Sequence, residues 1–183
     1  ERAGDVIPHI ISVDVKKREK NSKKFLFPTK CPSCGSDTIK EFNSITKKED
    51  AVRRCSSEGY ECEKISIEKI KHFVSKDAFN IEGFGKKIVE NFWKIKLIKL
   101  PQDIFMLDYN TIEKMEGWGE QSVSNLKYSI NSRKIISLDR FIFALGIRHI
   151  GFENAKLIAK TLKSPESFVN LSKDNKFDEL LNI

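Results

Sequence analysis

The sequence predicts a mainly α-helical protein in which a small cysteine-containing module precedes a series of helical hairpins. Three observations support this fold class. Four cysteines lie in one short, turn-rich segment, and glycine-containing turns recur further along the chain at intervals of 34 and 32 residues. Apolar residues recur at helical spacing around those turns. A short β-branched run near the beginning of the chain adds a minor strand component.

The composition is typical of a globular protein, with 39% hydrophobic and 32% charged residues in a chain of 183. No apolar run approaches the roughly 18 residues of a membrane span, and the first residues lack a secretory apolar segment. We therefore expect a cytoplasmic protein without a membrane partner. The formal net charge of +7 favours polyanionic partners, because neutralised phosphates release counterions. Compositional bias in a Lys-, Ile- and Asn-rich chain produces such a charge too, so charge alone leaves the partner open.

Three regions of the chain differ in composition and in hydrophobic pattern. Residues 1–27 contain a β-branched run at 6–13, predicted as a strand, and a polar, basic run at 16–24, predicted as a solvated linker. Residues 28–65 form the cysteine-containing module. Residues 66–183 show helical periodicity, and helix N-caps are predicted at Ser66 and Ser137 because each directly precedes an apolar helical run.

The four cysteines follow the spacing C-x2-C-x20-C-x6-C and are Cys31, Cys34, Cys55 and Cys62. Two thiolates separated by two residues on a tight turn can face one cation, and a second pair completes the tetrahedron that Zn²⁺ prefers. Four thiolates leave no open position for water or substrate, so we expect a structural zinc that stabilises a module too small to sustain a core. The alternatives are unligated thiols and disulfides, which are disfavoured without an export signal. A redox pair lacks a surrounding βαβ context.

The most informative feature is a repeated glycine-hydrophobic-glycine turn. The segments IEGFG at 81–85 and MEGWG at 115–119 each precede a helical run, and HIG at 149–151 precedes a third. Such a turn adopts positive φ and lets the main chain approach a ligand closely. The helix that follows begins with unpaired N–H groups and a partial positive charge, which suit a phosphate oxygen. Contacts of this kind hold a nucleic-acid backbone without reading bases.

We therefore predict a nucleic-acid-binding surface made of the turns and the first residues of the following helices. Its candidate members are Gly83, Gly85, Lys86, Lys87, Gly117, Gly119, Gln121, Arg148, His149 and Gly151. His149 replaces the first glycine of the third turn, and histidine tolerates the left-handed region, so that turn is predicted to form. Turns with a purely structural role remain the alternative. The run 177–183 resembles the approach to another turn, with Ile183 matching Ile81 and Met115, and predicts a truncated fourth hairpin.

Taken in order, these motifs closely resemble the bacterial NAD-dependent DNA ligases over essentially the whole chain. Residues 2–8 (RAGDVIP) resemble the end of that family's OB domain, and residues 31–36 (CPSCGS) resemble the start of its zinc finger. Residues 72–85 (HFVSKDAFNIEGFG) resemble its first hairpin segment, and residues 144–151 (ALGIRHIG) its third. The gap before the fourth cysteine is about one residue longer than is usual in the family, and Glu63-Lys64 follows it where a small residue and Gln are usual.

The resemblance implies an OB-domain remnant and basic linker at 1–27, a four-cysteine zinc finger at 28–65 and a helix-hairpin-helix DNA-binding domain at 66–183. The family seals nicks in duplex DNA during replication and repair. A lysine is adenylated from NAD, AMP passes to the 5′-phosphate, and the 3′-hydroxyl displaces it. That lysine and the NAD and Mg²⁺ sites are expected upstream of Glu1. No catalytic residue is therefore assigned to this chain, and the segment alone is predicted to be inactive.

The partners implied by the resemblance are nicked duplex DNA, bound independently of sequence, and the upstream adenylation and OB domains. A monomer is expected. One alternative is a zinc-finger and helix-hairpin-helix module of another DNA repair or recombination protein, and a second is an RNA-binding zinc protein. RNA readers display stacking aromatics, whereas the aromatics here fall at helical core spacing and are assigned to packing. They are Phe73, Phe92, Trp93, Phe105, Phe141 and Phe143.

Overall fold

The computed structural model describes residues 11–43 and 47–173. Short antiparallel strands surround the four cysteines and a helical domain follows, so the predicted mainly α fold with a four-cysteine module is confirmed. The strands are β1 (Thr38–Ile39), β2 (Phe42–Asn43), β3 (Lys48–Glu49) and β4 (Arg54–Cys55). The helices are α1 (Glu63–Val74), α2 (Lys86–Lys94), α3 (Tyr109–Glu113), α4 (Glu120–Ser132), α5 (Leu138–Ala144), α6 (Phe152–Leu162) and α7 (Pro165–Lys173).

Two predicted segments lie wholly or largely outside the described residues. The fourth hairpin at 177–183 does so entirely, and so does most of the strand at 6–13. The described end of that strand, from Ile11 to Val13, has no strand structure. It leads into a 3-10 helix at Val15–Lys17, where the Asp14 carboxylate accepts a hydrogen bond of 3.0 Å from the Lys16 amide. The basic run 16–24 is exposed throughout, as predicted.

One of the two predicted helix N-caps is wrong. Ser137 does precede α5, although its side chain makes no capping hydrogen bond. By contrast, α1 begins at Glu63 with Cys62 as its N-cap, so Ser66 lies inside the helix. Its buried hydroxyl donates to the carbonyls of Tyr60 at 2.8 Å and Cys62 at 2.9 Å. The apolar periodicity begins at Ile67, but the backbone is already helical one turn earlier.

The main hydrophobic core joins α1, α2 and α4 with the segments between them. Phe73, Phe92 and Trp93 are buried in it, and the remaining predicted packing aromatics are half-buried against it, so the assignment of this set to packing is confirmed. A second, smaller core holds α5, α6 and α7 together. Its buried members are Ile142, Ala155, Ile158 and Phe168. Among the described residues, no helix is both long and apolar enough to cross a membrane.

Polar contacts attach the α5–α6 unit to the main core. Arg140 of α5 donates a hydrogen bond of 2.9 Å from Nε to the Ala78 carbonyl. His72 of α1 donates from Nε2 to the Phe143 carbonyl at 2.7 Å, and the two rings pack edge to face. The chain passes the His72 ring at Gly146, whose φ is +62° and where a methyl group would lie 3.3 Å from the imidazole. Glycine therefore suits this close approach.

Phe92 supplies a test of the core because its ring lies 5.6 Å from the rings of both Phe84 and Trp118, measured between centroids. We expect Phe92→Ala to lower the free energy of unfolding by about 3–5 kcal/mol, because it leaves a cavity between two turns. The measurement is urea unfolding followed by helical circular dichroism. Ile135→Ala, at a side chain that is 91% exposed, is the control and should change stability by less than about 0.5 kcal/mol. Equal losses in the two variants would contradict this packing.

Candidate functional site

Local backbone structure places each of the four cysteines. Cys31 and Cys34 lie on a tight turn in which the Gly35 amide donates to the Cys31 carbonyl at 2.9 Å, and Gly35 itself has a φ of +77°. Cys55 belongs to β4 and is paired with Thr38 of β1, which brings the second half of the module beside the turn. Cys62 is the N-cap of α1 and is only 1% exposed.

The four sulfur atoms fit a tetrahedral zinc ion. All four lie within 4.8 Å of one another, with 3.4 Å between Cys34 and Cys55 and 3.9 Å between Cys31 and Cys62. Zinc–thiolate bonds of about 2.3 Å require sulfurs roughly 3.8 Å apart. The longer gap before Cys62 therefore has not displaced the fourth ligand. A four-thiolate set has no position for substrate, so the chemistry that zinc would supply here is structural.

Two serines that sequence reasoning missed lie against these sulfurs. The Ser57 hydroxyl is 3.3 Å from the Cys34 sulfur and 2.9 Å from the Ser36 hydroxyl. Hydrogen bonds from Ser36 and then Ser57 lower the pKa of the Cys34 thiol to about 5, which prepares it as a thiolate ligand. Ser57 also lowers the pKa of Cys55, but burial and the neighbouring thiols outweigh it and raise that pKa. Each serine follows a cysteine by two residues, a spacing that could have identified them.

The three glycine turns, at 81–85, 115–119 and 147–151, have the same backbone geometry. Their third residues are left-handed, with φ of +77° at Gly83, +81° at Gly117 and +65° at His149. The prediction that His149 adopts this conformation is therefore confirmed. In each turn the amide of the fourth residue donates to the carbonyl of the first, at 3.2, 3.1 and 3.1 Å along the chain. These pairs are Phe84 to Ile81, Trp118 to Met115 and Ile150 to Ile147.

Each turn ends in a glycine that is also a helix N-cap. Gly85, Gly119 and Gly151 are extended and precede α2, α4 and α6. In each case the glycine carbonyl accepts the first helical hydrogen bond, from Val89, Val123 and Ala155 respectively. The backbone amides ahead of that bond have no partner one helical turn before them, although the Ile88 amide also donates to the Gly85 carbonyl at 3.0 Å. The same donor arrangement is thus built three times.

The turns face away from the protein. Their glycines are exposed, and a methyl group added to any of them would meet no atom of the described residues within 4 Å. The hydrophobic residue in the middle of each turn points inward, since Phe84 is buried and both Trp118 and Ile150 are half-buried against the cores. The apolar anchor and the open glycines place the backbone of each turn at the surface.

Charge distinguishes the three turns. The first is followed by exposed Lys86 and Lys87 at the start of α2, whereas the second is followed by Glu120 and by Gln121, whose amide donates to the Asn125 side chain at 2.9 Å. The third contains Arg148, which the structure places against two carboxylates of the cysteine module. Among the described residues, exposed positive charge outside an ion pair is therefore greatest at the first turn.

A cleft of about 690 Å³ separates the first two turns. Gly83 and Gly117 line its two sides, and one face of α4 forms its floor. Sequence reasoning missed this cleft and its polar side chains. Polar residues recur on α4 at helical spacing, and this pattern could have identified the face that lines the cleft. The side chains from this face are Ser122, Asn125, Tyr128 and Ser129. Tyr128 is 77% exposed at this position, unlike the core aromatics.

These features define the chain as a four-cysteine module followed by helices joined through repeated glycine turns. Comparison with known proteins then gives the family. The chain is 69% identical over all 183 residues to a DNA ligase of Pelagibacter ubique (strain HTCC1062), and it spans 27% of that protein. It is 48% identical over 176 residues, 93% of the chain, to a DNA ligase of Ehrlichia chaffeensis (strain Arkansas), of which the match spans 25%.

A DNA ligase of Azorhizobium caulinodans is 46% identical over 173 residues, which is 91% of this chain and 23% of that protein. No protein-family model matches the chain. The chain belongs, as a segment, to the bacterial DNA ligases, and it spans about a quarter of the length of the relatives it matches. The resemblance found in the sequence is thereby confirmed at the level of the DNA ligase family.

Removing the metal should unfold the cysteine module and spare the helices. Ligand binding supplies on the order of 10–16 kcal/mol to structural zinc modules, whereas α2 and α4 are held by the main core. The measurement is amide hydrogen exchange of the zinc-loaded chain with and without a chelator. We expect protection to disappear at 30–59 and to persist in α2 and α4. Ser124→Ala, at an exposed position of α4, should leave both the zinc content and this pattern unchanged. Unchanged protection of the module after verified zinc removal would contradict the structural role.

Proposed function

We propose that this chain is a non-catalytic, DNA-binding portion of an NAD-dependent DNA ligase, comprising the end of its OB domain, its zinc finger and its helix-hairpin-helix domain. The parent enzyme seals nicks in duplex DNA during replication and repair. The observation that carries the proposal is the threefold repetition of one exposed turn geometry in a chain related to DNA ligases. Positive φ accounts for glycine at Gly83 and Gly117, but the extended N-cap glycines that end the three turns do not need glycine for their backbone, which favours a ligand that approaches them closely.

The proposed contact is between backbone amides and phosphate oxygens. A positive-φ residue reverses the chain, the extended glycine begins the helix, and the first amides of that helix then point outward with the positive end of its dipole. The proposed contact residues are Gly83, Gly85, Gly117, Gly119, Gln121, His149 and Gly151, with Lys86 and Lys87 adding charge. Because amides and lysines read phosphate and not base edges, binding is independent of sequence and falls steeply with salt.

The other assignments follow from the relationship to DNA ligases. Zinc stabilises the cysteine module, while NAD and Mg²⁺ bind to parts of the enzyme outside this chain. The proposed partners are nicked duplex DNA and the adenylation and OB domains of the same protein. The chain is proposed to act as part of a cytoplasmic monomer. No reaction step is assigned to a residue of this segment.

Valine at the first glycine of a turn tests the amide mechanism. Gly83 and Gly117 have φ of +77° and +81° with open space around them, so valine there disturbs the turn by backbone strain and not by collision. We expect Gly83→Val and Gly117→Val each to weaken binding to a nicked duplex by about tenfold, roughly the loss of one charge-assisted hydrogen bond. Zinc content should stay unchanged.

The measurement is fluorescence anisotropy with two duplexes of unrelated sequence at two salt concentrations. Asn131→Val is the matched control, because it adds the same side chain at an exposed position near the other end of α4. Affinity equal to that of the unaltered chain in both glycine variants would exclude the turns as the binding surface.

Catalytic inactivity of the segment is tested separately. The zinc-loaded chain, mixed with NAD, Mg²⁺ and nicked duplex, should form no lysine–AMP adduct and no sealed product, because the proposal puts the nucleophilic lysine outside residues 1–183. Intact-mass spectrometry and a denaturing gel provide the two readouts. Formation of either species would overturn the placement of the active site. A complete bacterial NAD-dependent ligase in the same mixture is the positive control.

A further inference from the structure

Two carboxylates of the cysteine module face each other at the open end of the β2–β3 pair. Glu41 precedes β2 and Asp50 follows β3, and the Asp50 amide donates to the Glu41 carbonyl at 2.6 Å. The register of the pair, Phe42 to Glu49, makes these two residues the next opposed pair along the strands. Like charges placed directly opposite each other destabilise a strand pair. A cation beside both carboxylates would offset this repulsion.

Arg148 of the third turn supplies that cation. Its guanidinium is paired with the Glu41 carboxylate and lies 3.6 Å from the Asp50 carboxylate. Arg54, next to the zinc-site residue Cys55, lies 3.0 Å from the same Asp50 oxygen. The four side chains are between 35% and 41% exposed, so the network is partly shielded from solvent. Such a network contributes more to stability than an isolated surface ion pair does.

Among the described residues, the network attaches the cysteine module to the helical domain at a point distant from the start of α1 along the chain. The module is also attached at the start of α1, where Cys62 begins the helix and Lys69 donates to the Gly59 carbonyl at 2.8 Å. Beside Arg148, a cleft of about 350 Å³ lies between the strand pair and the third turn. Apolar packing therefore leaves this second contact partly open, and within the described part of the chain the ion pairs of Arg148 cross it.

We propose that Arg148 is a positioning residue, held by the Glu41–Asp50 carboxylate pair, that fixes the cysteine module against the third turn and is not itself a phosphate contact. In this arrangement the positive charge of Arg148 is neutralised by carboxylates of the protein. The orientation of the module relative to α5 and α6 then depends on Arg148. The backbone amides of the third turn remain available to a ligand, whereas the guanidinium of Arg148 connects the cysteine module to the helical domain.

The direct test is module orientation, measured by residual dipolar couplings of the zinc-loaded chain in solution. In the unaltered chain, one alignment tensor should fit the amides of both the cysteine module and α5–α6. Arg148→Gln and Glu41→Gln should each require separate tensors, with a smaller tensor for the module. The charge exchange Arg148→Glu with Glu41→Arg should restore a single tensor. Lys156→Gln, which breaks the 3.1 Å pair with Glu153 on α6, is the matched control and should change nothing.

A single tensor in both Arg148→Gln and Glu41→Gln would overturn the proposal. The proposal would also be overturned if the charge exchange failed to restore a single tensor. Fits of the couplings within α5 and α6 alone report whether each variant is folded. Because Glu41→Gln leaves the third turn unaltered, it decides the question even if Arg148→Gln disturbs that turn. This arm requires no DNA and is independent of the proposed function.

A second arm rests on the proposed function and separates positioning from phosphate contact. Loss of one phosphate contact lowers the slope of log affinity against log salt by about one. Arg148→Gln should leave this slope unchanged on a nicked duplex, whereas Lys86→Gln should lower it by about one. A loss of about one in Arg148→Gln, together with tighter binding by Glu41→Gln, would instead show Arg148 to be a phosphate ligand that its carboxylates restrain. If the unaltered chain bound no duplex, the proposed function would fail, and the dipolar couplings would still decide the inference.

Discussion

The positive φ of one residue in each turn is the constraint on which the helical domain depends. That residue allows the hydrogen bond between the first and fourth residues to close, and the turn then delivers an extended glycine to the start of a helix. The hydrophobic residue between them is directed into the core at the same time. Core packing and exposure of amide donors are thus two results of one backbone geometry. At His149 the geometry persists without glycine, which shows that the surrounding packing and not the residue type alone maintains it.

The two parts of the chain are stabilised by different physical means. The helical domain has two apolar cores, and in the larger one aromatic residues of the first two turns meet Phe92. The cysteine module has strands of two residues each and few buried apolar side chains, so it relies on its four sulfurs. Ser36 and Ser57 support those sulfurs by hydrogen bonds, and the lowered pKa of Cys34 makes a thiolate available to a cation near neutral pH.

Local patterns predicted the features that depend on neighbouring residues. The cysteine spacing indicated the four-sulfur cluster, and the glycine turns indicated backbone geometry, including the left-handed His149. The start of α1 was missed because the fourth cysteine begins that helix ahead of its apolar run. The pairing of Arg148 with Glu41 and Asp50 was missed for another reason. It joins residues distant in sequence, and a single sequence carries no local signal for which carboxylate a given arginine meets. For the cleft beside Tyr128, the spacing of polar residues on α4 indicates one face, but no local pattern indicates the opposite wall, which comes from a different turn.

The position of Cys62 has a mechanical consequence. One residue provides both a sulfur of the cluster and the N-cap of α1, with its carbonyl accepting the first helical hydrogen bond from Ser66. No flexible spacer separates the cluster from the helix, so at this junction the module can move only by a pivot about the first turn of α1. The Arg148 network holds the module at a second point and would fix the angle of that pivot. With both attachments in place, the module and the helices would move together as a single arm on the exposed residues 11–27, which have little secondary structure.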